Sequence, residues 1–167
     1  MKLRKNVFRV LMIIWMIIIF MFSARNGETS GQDSHRVGKL IGKIVISGFE
    51  EWSEDEQMEF AVKVDHVVRK TSHALEYTML GILVVGAFLE WEKNRKLQGV
   101  VYWLIGTFYA MTDEFHQLFV PGRSGQASDV CLDSAGVMVG VGVSFLVVMI
   151  VQRRRGSWNR KKKRSSR

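Results

Sequence analysis

A chain of 167 residues has room for one domain, and 47% hydrophobic residues with 24% charged exclude a disordered or fibrous polypeptide. Its single cysteine excludes an internal disulfide framework. The formal net charge of +8 is concentrated towards the ends, whereas the apolar residues gather in four blocks, 10–24, 74–91, 97–111 and 130–151. Each block approaches the roughly 20 residues that carry a helix across about 30 Å of hydrocarbon. Buried helices of a soluble bundle would keep a polar stripe at helical spacing, and 13–22 and 137–151 have almost none. The fold expected is therefore all-α: a polytopic membrane protein with four transmembrane helices at about 8–24, 73–91, 97–114 and 130–151. They make up a membrane domain over 10–151, with a basic cytoplasmic N-terminus at 1–9 and a basic cytoplasmic tail at 152–167.

The first block follows Lys2, Arg4, Lys5 and Arg9, as a secretory signal would. A cut after Ala24 would place Phe22 where a small residue is wanted, so the block reads as a retained anchor. The segment after it is amphipathic. Val37, Leu40, Ile41, Ile44 and Val45 fall at helical spacing, with Arg36, Lys39 and Lys43 opposite, describing a helix lying in the membrane surface. Ser53 with Glu56 three residues on is a capping box. The helix it opens carries Phe60, Val64, Val67 and Val68 on one side and leads into the second span.

Polar residues within the spans are confined to one level. The second span begins at Lys70 and His73, with Glu76 and Tyr77 one turn deeper; the third ends at Asp113, Glu114, His116 and Gln117; the fourth begins at Asp129, with Asp133 one turn in. His73, Glu76 and Tyr77 share a helix face, as do Asp113, His116 and Gln117, and Asp129 with Asp133. Ionisable groups at a membrane boundary are expensive to hold there, so such a cluster points to function. Glu90, Trp91 and Glu92 read as residues of the opposite boundary, and His35 and His66 as solvated or amphipathic. Between the third and fourth spans, Val120-Pro121-Gly122-Arg123 has the form of a type II turn that aims Arg123 back towards the acids. Gly136 with Gly140, and Gly106 with Ala110, are small-residue pairs suited to close helix packing. Cys131 reads as a small packing residue.

Orientation follows from Lys and Arg. Sixteen of the 24 lie before the first span, between the second and third, or after Gln152. Short basic segments stay cytoplasmic, which places both termini inside and the polar cluster outside. Beside a final span, the tail RRRGSWNRKKKRSSR is a topology anchor that attracts anionic lipid, and no nucleic-acid partner is expected. No zinc knuckle, phosphate-binding Gly loop or dinucleotide fingerprint is present.

Several words occur in order: Phe22-Ser23 at the end of the first span, K-x-x-H-x-x-E-Y from Lys70 to Tyr77, D-E-x-H-Q from Asp113 to Gln117, P-G-R from Pro121 to Arg123, and Asp129-Val130 opening a Gly-rich last span. From about residue 7 to 150 the chain resembles the VanZ-like family of bacterial membrane proteins. The resemblance implies a four-span protein of the bacterial cytoplasmic membrane, associated with the cell envelope, whose best-known relative lowers susceptibility to the glycopeptide teicoplanin.

Several uses of the outer cluster stay open. As an enzyme on a lipid-linked cell-wall intermediate, the chain would bind phosphate with Lys70 and Arg123. His73 or His116 would serve as general acid or base, oriented by Asp113 or Glu114. A divalent-metal version would use His73, His116 and two carboxylates. As a binding protein, the same residues, with Glu76, Tyr77, Gln117, Asp129 and Asp133, would hold a lipid headgroup or glycopeptide without chemistry. Proton or ion movement is disfavoured because the inner halves of the spans hold almost no polar relay. A purely structural cluster would pair His73 with Asp113 and Arg123 with Asp129.

Overall fold

The computed structural model describes residues 2–90 and 94–165, with the side chains of the last helix described as far as 154. Trp91, Glu92 and Lys93 of the expected inner boundary, and the basic side chains beyond Arg154, lie outside the described residues. Those described form α1 (Lys2–Ser23), α2 (Gly27–Val45), a 3₁₀ turn (Phe49–Glu51), α3 (Glu54–Phe88), α4 (Arg95–Gln117) and α5 (Ala127–Ser165), with no strand among them.

Local chemistry sets the helix starts. Asn26 Oδ1 accepts from Thr29 N at 2.8 Å, and Asn94 Oδ1 from Lys96 N at 3.0 Å, each satisfying a backbone donor the first turn leaves unpaired. Ser53 and Glu56 form the expected capping box, with Glu56 Oε2 accepting from Ser53 N at 2.8 Å. The surface helix and the second span turn out to be one element: α3 runs 35 residues without a break. At 1.5 Å per residue that is roughly 52 Å, well beyond a hydrocarbon core of about 30 Å.

Helices α1, α3 and α5 are long and apolar enough to cross a membrane. Helix α4 is not among them, so three of the four expected spans meet that standard. It has the length at 23 residues, but Arg95, Lys96, Asp113 and Glu114 occupy its ends. Helix α3 is central and packs against each of the other four α-helices. Small residues allow its closest approach, to α5. A Cβ on Gly140 would stand 2.1 Å from Thr78 O, and one on Gly136 2.6 Å from Ala74 O. Gly106 of α4 takes the side chain of Val137 in the same way. Ile19, Tyr77, Leu80, Val84 and Val137 are almost wholly buried among these helices. Hydrogen bonds add to the packing: Trp103 Nε1 donates to Ser134 Oγ at 2.9 Å, Trp15 Nε1 to Glu76 O at 2.9 Å, and Tyr109 OH to Met16 O at 2.6 Å.

Helix α2 lies against the N-terminal part of α3 through its small residues. Gly38 meets the backbone of Ala61, and Gly42 meets the ring of Phe49. Its apolar face stays uncovered, with Leu40 56% and Ile44 76% exposed, as a helix resting in a membrane surface would leave it. On α3 the facing stripe is Gln57, Ala61, Val64 and Val68; Val67, expected there, is exposed. Cys131 is exposed, contrary to the expectation of a packing residue. At the other end of the bundle, Glu90 is tied to α4 by reciprocal bonds with Gln98, N to Oε1 at 2.9 Å and Nε2 to O at 2.9 Å.

Candidate functional site

The C-terminal ends of α1 and α4, the start of α5 and the middle of α3 meet at one end of the bundle. Among the described residues, the buried side-chain atoms without a hydrogen-bond partner all lie there: Ser23 Oγ, His73 Nδ1, Tyr77 OH, Asp113 Oδ1, His116 Nε2 and both carboxylate oxygens of Asp133. They come from α1, α3, α4 and α5. Leaving a buried polar group unpaired costs about 1–3 kcal/mol, so six such side chains at one place are not what packing alone selects.

Each acid has a distinct setting. Asp133 is fully buried, and its Oδ1 lies 3.6 Å from His73 Nδ1. Glu114 is buried and accepts from Gln126 N and Gln117 Nε2, each at 3.1 Å. Asp113 is buried beside Ser23, Gln117 and Tyr77, and Gln117 Nε2 reaches its Oδ2 at 3.4 Å. His116 stands against the ring of Phe20, centroids 4.6 Å apart.

The expected pairs are not the ones formed. Asp133 faces His73 in place of Asp113, because residues 73 and 133 both lie at the close α3–α5 seam. Asp129 pairs with Lys70 in place of Arg123. Arg123 donates from Nε to Arg25 O at 3.3 Å, and from Nη2 to Phe22 O at 3.2 Å and Ser30 Oγ at 3.0 Å. Much of its fork is therefore taken up by the junction of α1 and α2. Phe22 O, which also accepts from Arg25 N at 3.3 Å, lies at the end of α1, where a cation meets the negative end of the helix dipole. Burial, with Arg69 close by, holds the Arg123 guanidinium below its ordinary pKa, and it remains charged. The turn itself has the expected form: Gly122 has φ of 72°, and Arg123 N donates to Val120 O at 3.1 Å. Gly27 N donates to Pro121 O at 3.0 Å, a contact so close that a Cβ on Gly27 would stand 2.0 Å from Gly122 O.

Two cavities open on this cluster and share Arg69, His73 and Arg123. One, of about 250 Å³, runs between α1, α2 and α3 past Phe22, Ser34, Val68, Glu76 and Asp113. The other, of about 220 Å³, is lined by His66, Arg69, Lys70, His73, Gln117, Arg123 and Asp129, together with Gly122, Ser124 and Gln126. Four of the second cavity's lining residues are basic or histidine beyond His73, against one carboxylate. Glu76, Asp113 and His73 line the first; Lys70, Gln117 and Asp129 line the second. Tyr77, Glu114, His116 and Asp133 lie outside both linings, and His116 is not among the groups placed to share a metal with His73. The metal set expected from sequence is corrected accordingly.

Sequence reasoning passed over Arg69, and with it Ser30, Asp33 and Ser34, which line the first cavity from α2. Spacing held the signal. Arg69 stands four residues before His73 on the same helix face, and Ser30, Asp33 and Ser34 repeat at three and four. Arg69 Nη2 is paired with Asp65 at 2.8 Å, Ser34 also bonds Asp65, and His35 Nε2 stands 3.9 Å from it. His35 is therefore placed at this hydrogen-bonded group and not simply in solvent.

No curated protein and no solved structure matches the chain. The family model described as VanZ/LLP1 matches residues 8–151, which takes in α3 and α4 whole, most of α1, α5 as far as residue 151, and the whole of the cluster. With the helices and words just described lying inside that match, the chain belongs to the VanZ/LLP1 family.

Proposed function

We propose that this is a four-span protein of the bacterial cytoplasmic membrane, both termini cytoplasmic, that holds the phosphate-bearing headgroup of a lipid-linked envelope component at the outer leaflet. The carrying observation is the basic cavity of about 220 Å³ lined by His66, Arg69, Lys70 and Arg123 with Asp129 as the lone carboxylate, where a phosphate would compete with Asp129 for Lys70 and with Asp65 for Arg69. Phosphate prefers charge-assisted donors converging from several directions, and arginine supplies them in a fork. A lipid could present its headgroup here while its chains stay in the bilayer. Helix α4 counts as the fourth span on this reading: its polar ends sit at the two boundaries, and Tyr102, Trp103 and Tyr109, which lower its apolar character, each find a hydrogen-bond acceptor within the bundle. The Lys and Arg excess on one side supports the orientation. Altered tolerance to a glycopeptide such as teicoplanin would follow from sequestering or presenting such a component.

The test is native mass spectrometry of the purified protein with phosphate-bearing polyprenyl or glycerol lipids beside a neutral diacylglycerol. Phosphate lipids should be retained selectively. Each lost charge-assisted contact is worth about 1.5–3 kcal/mol, so Arg69→Gln or Lys70→Gln should weaken retention about tenfold or more. Equal retention of the neutral lipid overturns the reading. A second reading, hydrolysis or transfer at that phosphate, is favoured by His73, which lines both cavities and is backed by Asp133. Turnover of the retained lipid by the wild type, lost in His73→Gln with retention intact, would establish it.

A further inference from the structure

Among the described residues, Asp133 is the one buried carboxylate with neither oxygen hydrogen-bonded, and it is 0% exposed. A carboxylate taken out of water needs a counter-charge or donors close by. The nearest ammonium, Lys70, is engaged by Asp129. What faces Asp133 is a ring nitrogen of His73 and a carboxylate oxygen of Glu114, and ligand atoms of the three lie within 4.8 Å of one another. The 3.6 Å between His73 Nδ1 and Asp133 Oδ1 is too long for a hydrogen bond. It is close to the roughly 3.4 Å that separates two ligand atoms held at about 2.1 Å from one tetrahedral ion. From this geometry we infer a divalent cation site formed by His73, Glu114 and Asp133.

The charges and the surroundings fit. Two carboxylates and a neutral imidazole match a 2+ ion, and one nitrogen with two oxygens suits Zn²⁺ or Mn²⁺ better than Ca²⁺, which prefers six or more oxygens. Both oxygens of Glu114 already accept a bond, from Gln117 Nε2 and Gln126 N, which orients the carboxylate and still leaves each oxygen a lone pair. The ligands come from α3, α4 and α5, so an ion there ties three helices together at the mouth of the bundle. Three protein ligands leave a coordination position open, and His73 also lines both cavities. This site stands on its own ligands, whatever occupies the basic cavity.

The test uses the full-length protein in detergent, stripped with a chelator and titrated with Zn²⁺ and Mn²⁺ by calorimetry, and with Co²⁺ by visible absorption. One equivalent should bind per chain. Asp133→Asn, Glu114→Gln and His73→Gln should each weaken binding at least tenfold, while His116→Gln and His35→Gln retain it. Asp133→Asn without metal should melt no lower than the stripped wild type, because it removes an uncompensated buried charge, and it should lose the metal-dependent rise in melting temperature. For any variant that does not fold, the Co²⁺ spectrum of the wild type decides, since nitrogen-and-oxygen ligation in a site of low coordination number absorbs visibly and aqueous Co²⁺ scarcely does. Absence of stoichiometric binding, or wild-type affinity in Asp133→Asn, overturns the site. Loss of ion binding in His116→Gln but not in Glu114→Gln would overturn the ligand set.

Discussion

Arg123 shows how a side chain that looks like a ligand can also hold the scaffold. It donates to carbonyls at the end of α1 and in the turn that follows, so Arg123→Gln should loosen the α1–α2 junction and lower membrane abundance; both contacts are exposed and Phe22 O keeps Arg25 N as a donor, which holds the loss to about 1 kcal/mol. Arg123→Lys keeps the charge and loses the fork, and quantified protein in the membrane should fall between wild type and Gln. Wild-type abundance for Arg123→Gln would remove this role at the junction. Tyr77 is the opposite case. Its hydroxyl is fully buried without a hydrogen-bond partner, so Tyr77→Phe should raise the melting temperature in detergent or leave it unchanged. A clear fall would mean that the hydroxyl does find a partner in the folded protein. Asp113 lines the first cavity and His116 lies outside both; Asp113→Asn and His116→Gln separate folding from function when abundance is compared with lipid retention.

Among the elements, the α3–α5 seam carries most of the arrangement. Gly140 sits where any Cβ meets Thr78 O, whereas Gly142, half a turn further, has open space. Gly140→Val should therefore abolish or severely reduce folded protein, because neither backbone can retreat without parting the helices that present His73 and Asp133. Gly142→Ala should fold as well as wild type by detergent size exclusion. Equal behaviour of the two variants would mean that the helices do not pack in this register. Helix α2 is legible from its periodicity, but its packing is not. The apolar face that sequence singles out is left open, and Gly38 and Gly42 make the contact, because small residues admit a backbone approach that Leu40 or Ile44 would prevent.

For the whole molecule the orientation is the decisive proposal, since it places the cavities outside or inside the cell. Cys131 is exposed and would itself react with thiol reagents, so the experiment starts from Cys131→Ser. In that background Glu54→Cys should be labelled by an impermeant reagent in intact cells and Lys161→Cys only after lysis. The reverse pattern would move the basic cavity to the cytoplasmic face and remove an outer-leaflet role.

Periodicity places α2 from His35 and the third span from Leu97, whereas α2 starts at Gly27 behind Asn26 and α4 at Arg95 behind Asn94. The sequence alone determined that the chain is helical, where α3 begins, the turn at Pro121 and Gly122, the level at which polar residues gather, and the family. These depend on local signals: helical periodicity, caps, positive φ at glycine and the uninterrupted apolar runs that hydrocarbon demands. Only the tertiary structure decided that Asp133 and not Asp113 faces His73, that Lys70 takes Asp129, that Arg123 closes the α1–α2 junction, and that Arg69 belongs to the cavity. Such pairings depend on how each helix is rotated about its axis, and with about 100° between successive residues a small rotation exchanges one partner for another. That rotation is set where Gly136 and Gly140 meet the backbone of α3, a contact between positions some 60 apart in the chain that no local pattern records.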